Sequence, residues 1–182
     1  MELAGYLLNT REGLTGEAGI FYDYIFAENG LFVRAQNPLL KVTACISPVK
    51  IRGLAPLEEE LVLTHGKIPR ALYDLAVSTF IVNSSWEQYL AVTWEDQYHL
   101  RIPSQARDSA SVRYDRLPST VLDIHSHGTM EAWFSRDDNE DEQGLRLYIV
   151  VGRLDTLLPG VEIRLGVYGY FTPINFWEIF DV

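Results

Sequence analysis

Hydrophobic and polar positions alternate along the first part of the chain in a pattern that is typical of β-strands. The runs of apolar and aromatic residues cover 20–26, 31–34, 40–46 and 49–53. Asn29 and Gly30 separate the first two runs, and Asn-Gly at such a place is a strong signal for a β-hairpin. The sequence therefore predicts a β-rich N-terminal region over residues 1–62.

The spacing of apolar residues becomes helical after this region. Pro69 suits the first turn of a helix, and apolar side chains then recur three or four positions apart up to Asn83. The predicted apolar face consists of Ile68, Leu72, Leu75, Ala76 and Phe80. We therefore expect a helix that begins near Pro69 and ends at Asn83.

Strand patterns return after the predicted helix. They cover residues 87–94, 98–102, 111–114, 121–124, 145–151 and 161–168. A short helix is expected between Asp138 and Gly144. The uninterrupted apolar run 145–151 is typical of a central strand that is covered on both faces. These elements predict a second domain over residues 63–182, with a mixed α/β fold around one sheet.

Composition and charge exclude several classes of protein. Hydrophobic residues make up 47% of the 182 residues, enough for a sizeable core, and no apolar run reaches the roughly 18 residues of a membrane span. The net charge of −10, without a basic stripe, argues against a nucleic-acid partner. Cys45 is the single cysteine, which rules out an internal disulfide and a cysteine-rich zinc site. Since no signal-peptide pattern is present either, we expect a cytoplasmic protein that binds no membrane.

One short segment combines groups that can bind a metal ion. His125 and His127 follow the predicted strand 121–124, and residues two apart on a strand point to the same side. Seven residues separate His127 from Ser135, and two separate Ser135 from Asp138. A turn and the first turn of a helix can bring the Asp138 carboxylate back to the two imidazoles. Three such ligands leave a fourth position for water, which is the arrangement of a catalytic zinc site.

Metal-dependent hydrolysis also needs a group that moves protons. Glu87 is the best candidate because it opens the strand that follows the long helix, and Glu95 at the far end of that strand is the alternative. The other acidic residues near Asp138, at positions 137 and 140–142, are expected on a solvated turn with negative charge at a helix start.

The spacing of five of these residues resembles the motif of the JAB/MPN family, the JAMM metalloproteases. The matching residues are Glu87, His125, His127, Ser135 and Asp138. The resemblance covers roughly residues 65–182 and implies a cytidine-deaminase-like central mixed sheet flanked by helices. It also implies that the two histidines and Asp138 hold one zinc ion. Glu87 would then act as general base and acid, and Ser135 would stabilise the oxyanion.

Family members cleave peptide or isopeptide bonds after the C-terminus of ubiquitin-like proteins, so the resemblance implies a ubiquitin-like partner. A narrower resemblance points to the prokaryotic branch called PRTRC system protein A, which is encoded beside a ThiF-like adenylating enzyme. The chain length, the N-terminal region and the segment Gly66-Lys67-Ile68-Pro69 carry this narrower resemblance. It implies a ThiF-like, E1-like enzyme as a second partner.

The family motif leaves the roles of three positions in this chain open. Many family members have proline after the second histidine, whereas this chain has Gly128, which predicts a more mobile loop. Asp123 faces the same side as His125, and it either orients His125 by a hydrogen bond or lies in solvent. Trp133 and its neighbour Phe134 either line a peptide groove or are buried beneath the loop.

Two other classes of enzyme match parts of the same segment less well. Asp123, His125 and His127 also match the start of phosphoesterases of the polymerase-and-histidinol-phosphatase type, but those enzymes need further histidines, and none follows His127. A zinc deaminase needs a Cys-x-x-Cys pair, which a single cysteine excludes. The serious alternative to an enzyme is a non-catalytic JAB/MPN-type module that recognises a ubiquitin-like or ThiF-like partner.

Overall fold

The computed structural model describes residues 2–107, 112–114 and 117–181. The chain divides into two units, Met1–Gly66 and Lys67–Val182. No helix within the described ranges is both long enough and apolar enough to cross a bilayer.

Strands build the N-terminal unit. They are β1 (Ala4–Thr10), β2 (Gly13–Glu17), β3 (Tyr22–Ala27), β4 (Gly30–Gln36), β5 (Leu40–Pro48) and β6 (Glu60–Leu63). The sheet order is β2-β1-β3-β4-β5-β6, with β1 and β3 parallel and the other neighbours antiparallel. The predicted hairpin is confirmed, since β3 and β4 pair up to Ala27 and Gly30. The boundary expected between residues 62 and 63 falls inside β6, which pairs with β5.

One face of this sheet covers a small apolar cluster. The period-two alternation of β3 buries Ile25 and Ala27, which lie with Leu7 and Phe32 in the cluster. Cys45 is half-buried and packs against this cluster. Its environment is that of a packed strand residue, as the sequence predicts.

The strand expected over residues 49–53 was a wrong prediction, because this segment bonds to the β3–β4 turn instead. The Ile51 N–H donates to the Glu28 carbonyl at 2.8 Å. The Asn29 side-chain amide donates to the Leu57 carbonyl, and its Oδ1 accepts from the Leu57 N–H, both at 2.9 Å. Single bonds to a turn satisfy this backbone without a strand ladder.

The second unit contains helices and strands around a mixed sheet. Its elements are α1 (Arg70–Val82), β7 (Gln88–Glu95), β8 (Gln97–Arg101), β9 (Gln105–Arg107), β10 (Val112–Tyr114), β11 (Thr120–Ser126), α2 (Arg136–Asp141), β12 (Leu145–Gly152), β13 (Gly160–Val167), β14 (Tyr170–Pro173) and α3 (Phe176–Ile179). The sheet order is β14-β13-β12-β11-β7-β8. β11 and β12 run parallel, and the other neighbours are antiparallel. The predicted mixed α/β fold is confirmed, with the apolar strand β12 in the middle of the sheet.

Two details differ from the sequence prediction. Leu75 was placed on the buried face of α1, but it is 55% exposed, and Ala76 and Phe80 are the buried residues of this helix. The strand expected over 111–114 does not join the main sheet. Its described part, β10, pairs with β9 in a separate hairpin, and residue 111 lies outside the described residues.

The register of the sheet decides which side chains share a face. Asp123 on β11 lies opposite Ala91 on β7 and Tyr148 on β12, and Tyr148 lies opposite Arg164 on β13. Side chains of directly opposed residues point to the same face. Asp123 and Arg164 therefore lie on one face, together with His125, which follows Asp123 by two residues.

The C-terminal end of helix α1 packs on the face of the sheet opposite to the histidines. Gln88 neighbours Tyr89 on β7 and so points away from the histidine face. Its side-chain amide donates to the Phe80 carbonyl and to the Asn83 carbonyl, both at 3.2 Å. The last turn of α1 is thereby fixed to the start of β7.

The loop after β11 lies directly on the end of β12. The His127 N–H donates to the Val151 carbonyl at 2.8 Å, and the Arg153 N–H donates to the Met130 carbonyl at 2.6 Å. A Cβ atom added to Gly152 would lie 2.4 Å from the Met130 carbonyl oxygen and 2.4 Å from the Ala132 nitrogen. Residue 152 must therefore be glycine for the loop to approach this closely.

We predict that Gly152→Ala lowers the free energy of unfolding by about 1–3 kcal/mol, because backbone atoms of the loop have to move. Gly160→Ala is the matched control, since its added Cβ would meet Ala132 at an ordinary 3.6 Å. Chemical denaturation measures both variants. Equal stability of the two would contradict this account of the loop.

Candidate metal centre

The end of β11 supplies two imidazoles to one face of the sheet. His125 and His127 are 9% and 6% exposed, and their ring centroids lie 5.2 Å apart. Strand periodicity accounts for this arrangement, since Ser126 between them points the other way and its hydroxyl accepts from the Gln88 N–H at 3.1 Å.

A capping box at the start of α2 fixes Asp138. The Ser135 N–H donates to Asp138 Oδ2 at 2.6 Å, and the Asp138 N–H donates to Ser135 Oγ at 3.1 Å. This reciprocal pair satisfies two backbone donors that a helix start leaves open. It also leaves Asp138 Oδ1 for other partners, and Oδ1 lies 3.4 Å from Nε2 of His125.

His125, His127 and Asp138 together form a group with the donor set of a metal site. One ligand atom of each lies within 4.8 Å of the others. Nε2 of His125 and Nδ1 of His127 are buried, and neither atom has a hydrogen-bond partner among the described residues. Buried polar atoms are rarely left unsatisfied, and a cation between these nitrogens and the carboxylate would satisfy both.

The spacing of this group also fits zinc. Ligands about 2.0 Å from a tetrahedral ion lie roughly 3.3 Å from one another. The 3.4 Å between His125 Nε2 and Asp138 Oδ1 agrees with that separation. Two imidazoles and a carboxylate are a ligand set that zinc accepts, with a fourth position open.

The protonation states favour metal binding as well. Burial lowers the pKa of His125 to about 4, despite the opposing charge of Asp138. Burial also lowers the pKa of His127. Burial alone would raise the pKa of Asp138, but the two histidines and the hydrogen bonds from Ser135 lower it. Near pH 7 the group therefore offers neutral imidazoles and an ionised carboxylate, which are the forms that bind a metal.

The two candidate bases lie at opposite ends of β7. Ser126 pairs with Gln88, and one further step of this register places the buried Glu87 beside His127. Glu95 instead lies at the other end of the strand, where its exposed carboxylate accepts from Arg101 at 2.8 Å. Eight strand residues correspond to about 26 Å. The structure therefore places Glu87, and not Glu95, at the histidine end.

Asp123 is buried beneath the histidines and does not face solvent. Its carboxylate accepts from the Tyr89 hydroxyl and, at 2.8 Å, from Arg146 Nη1. These contacts tie β11 to both neighbouring strands. The alternative of a solvent-facing strand residue was wrong, because Tyr89 and Arg146 fill the space around the carboxylate.

The two aromatic residues of the loop have different environments. Trp133 is 53% exposed, and its ring centroid lies 5.8 Å from that of His127. Phe134 is half-buried, with its ring 6.2 Å from that of His125. Trp133 is therefore available to a bound molecule, whereas Phe134 belongs to the support of the centre.

Gly128 has a packing role in this loop. Its φ is +58°, in the left-handed region that favours glycine. An added Cβ would lie 2.7 Å from the Ser84 carbonyl oxygen. Glycine at this position therefore allows a tight left-handed turn against the end of the α1 segment. This packing gives glycine a structural role here, and the greater mobility expected of the loop stays a prediction.

Sequence reasoning missed a set of contacts around Arg164. Glu142 was expected on a solvated turn, but it is 6% exposed and its Oε2 accepts from Arg164 Nη2 at 2.5 Å. Burial raises the pKa of Glu142 to about 8, although the Arg164 guanidinium opposes that shift. Arg164 and Glu142 are 22 positions apart, and only the polar position of Arg164 on the histidine face hinted at a role.

Comparison with known families agrees with this geometry. Residues 72–164, just over half of the chain, match the family described as prokaryotic homologs of the JAB domain. The matched range includes every residue of the centre. No curated protein matches the chain. The narrower resemblance to PRTRC system protein A stays a prediction. From its mixed sheet and this match, the chain belongs to the prokaryotic JAB-domain family.

Proposed function

We propose that the chain is a zinc-dependent metallopeptidase that hydrolyses a peptide or isopeptide bond at the C-terminus of a ubiquitin-like protein. The supporting observation is the group of His125, His127 and Asp138, in which Nε2 of His125 and Nδ1 of His127 are buried without a hydrogen-bond partner among the described residues. The family contributes the substrate class, because the JAB/MPN proteases act on ubiquitin-like proteins. The open fourth position of such a site is what distinguishes a hydrolase from a structural zinc protein.

The chain's own residues would divide the chemistry between them. The two histidines and Asp138 would hold zinc, which would supply a Lewis acid that lowers the pKa of water toward neutrality. Glu87 accepts a proton from the attacking water and returns it to the leaving amine. Ser135 Oγ accepts a hydrogen bond from the Asp138 N–H, so its own proton can be donated to the developing oxyanion.

The substrate tail would have to reach the centre in an extended form. The β8 and β14 strands form the ends of the sheet in the described chain, and an extended peptide can add to such an edge. Trp133 beside His127 offers an apolar surface to residues next to the cleaved bond. A ThiF-like enzyme is the second partner that we propose, since such an enzyme would act on the same C-terminal tail.

The direct test uses a ubiquitin-like protein that carries a reporter peptide after its C-terminal residue. The zinc-loaded full chain should release the peptide, and a chelator should stop the release until zinc is restored. Mass spectrometry locates the cleaved bond. A protein that binds the fusion tightly without cutting it would be a non-catalytic recognition module, and the peptidase proposal would fail.

His125→Ala and Asp138→Asn should each weaken metal binding and lose turnover together. We expect zinc affinity to fall by more than about 100-fold, beyond the range seen for residues that only orient ligands. Competition with a chromophoric chelator measures this affinity. His99→Ala on β8 is the control and should keep wild-type zinc binding, since His99 is not part of the group.

Glu87→Gln should separate metal binding from catalysis. The amide keeps the shape of the side chain but cannot accept a proton, so kcat should fall by about 10²–10⁴-fold with unchanged zinc affinity. Glu95→Gln at the far end of β7 should retain wild-type turnover. Full turnover by the Glu87 variant would show that this residue is not the base.

Trp133→Ala should weaken substrate binding and leave the chemical step intact. Loss of apolar surface worth about 1.5 kcal/mol corresponds to a roughly tenfold increase in KM, with kcat and zinc affinity unchanged. Trp177→Ala removes another exposed tryptophan, on α3, and serves as the control. A fall in kcat at constant KM would argue that Trp133 supports the centre and does not bind substrate.

A further inference from the structure

The helix that supplies Asp138 has little of its own to hold it in place. α2 has six residues, and none of them is buried. Helices shorter than about 12 residues are marginal in water without outside support. The capping box fixes Asp138 relative to Ser135, but both residues belong to the same short segment. The position of α2 over the sheet must therefore come from contacts elsewhere.

Arg164 on β13 supplies such contacts. Its Nη1 donates to Asn139 Oδ1 at 2.6 Å, and its Nε and Nη2 donate to Glu142 Oε2 at 3.0 and 2.5 Å. The guanidinium carbon lies 3.7 Å from the ring centroid of Phe134 and 3.9 Å from that of Phe171. One side chain thus contacts residues before, within and after α2.

The order of these contacts along the chain is informative. Phe134 directly precedes Ser135, and Asn139 directly follows Asp138. Glu142 is the C-terminal cap residue of α2, and its N–H donates to the Asp138 carbonyl at 2.8 Å. Arg164 therefore contacts the segment on both sides of Asp138. Its described contacts do not include the Asp138 carboxylate.

We infer that Arg164 is a positioning residue for the metal centre, which holds α2 against the sheet so that Asp138 stays beside the two histidines. This inference rests on the proposed function only in that the group binds zinc. β13 is a suitable base for such a contact, because it is paired along its length with the central strand β12. The planar guanidinium suits this place, since it donates in a fixed fork and stacks on aromatic rings, which lysine does not do.

A purely structural role for this buried ion pair makes a different prediction. Removing one member of a buried pair destabilises a protein in any case, so a loss of stability would not distinguish the two roles. A positioning role requires that the substitution of Arg164 changes zinc affinity by displacing Asp138. The difference is measurable as a coupling between the two residues.

The test is a double-mutant cycle on zinc affinity in the full chain, with Arg164→Met, Asp138→Asn and the double variant. Arg164→Met should weaken zinc binding by about 10-fold to 100-fold. In the Asp138→Asn background the same change should have almost no further effect. Equal loss of affinity in both backgrounds would overturn the inference, because Arg164 would then act through the histidines or the fold in general.

Cobalt in place of zinc gives a spectroscopic signature. The visible absorption of the cobalt-loaded Arg164→Met variant should resemble that of Asp138→Asn, since both lose an ordered carboxylate ligand. Leu165→Ala is the matched control for lost stability, because this buried neighbour on β13 points to the opposite face. It should lower Tm and keep the wild-type cobalt spectrum and zinc affinity. A wild-type spectrum of Arg164→Met would overturn the inference.

Milder variants keep the test valid should Arg164→Met fail to fold. Asn139→Ala and Glu142→Ala each remove part of the contact, and both should reduce zinc affinity less than Arg164→Met. Arg164→Lys keeps the charge but loses the fork, so it should fall between wild type and Arg164→Met. Unchanged zinc affinity in both milder variants would contradict a positioning role.

Failure of the positioning inference differs from failure of the proposed function. Normal zinc affinity in Asp138→Asn would remove the metal assignment itself. Zinc binding that depends on Arg164, in a protein that cuts no ubiquitin-like fusion, would leave the positioning role intact and exclude the peptidase. The measurements that test the positioning role itself use zinc or cobalt alone and need no substrate.

Discussion

The pairing of β11 between β7 and β12 is the constraint on which the centre depends. An antiparallel neighbour on one side and a parallel neighbour on the other fix the register of the strand, and a slip of one residue would turn its side chains to the other face. That register places His125 and His127 on the face that α2 covers. It also brings the start of β7, with Glu87, to the same end of the sheet. The buried network of Asp123, Tyr89 and Arg146 strengthens the register at its middle.

Two different kinds of local structure meet at the centre. The histidines come from a strand inside the sheet, where neighbours on both sides limit their movement. Asp138 comes from a short helix with no buried residue, and its geometry depends on polar contacts: a capping box within the segment and the Arg164 contacts from β13. The sheet thus fixes the position of the imidazoles, whereas hydrogen bonds to side chains fix the position of the carboxylate.

The parts that sequence predicts well are those governed by local periodicity. Alternation predicted β11 and β12, helical spacing predicted α1, and the His-x-His spacing predicted that three ligand side chains meet. The predictions for Leu75 and for segment 49–53 were wrong because the rotation of α1 and the hydrogen bond from Ile51 to Glu28 depend on residues distant in sequence. The contact between Arg164 and Glu142 could not be predicted, because the two residues are 22 positions apart and belong to no sequence motif. Catalytic roles for Glu87 and Ser135 stay predictions, since geometry alone does not measure proton transfer.

The left-handed turn at Gly128 bears on how relatives should be compared. Proline fixes φ near −65°, so a relative with proline at this place cannot follow the loop path seen here, where φ is +58°. A relative with proline there would therefore take a different backbone conformation just beyond β11. A model of such a relative built on this chain would misplace the side chains that follow the two histidines.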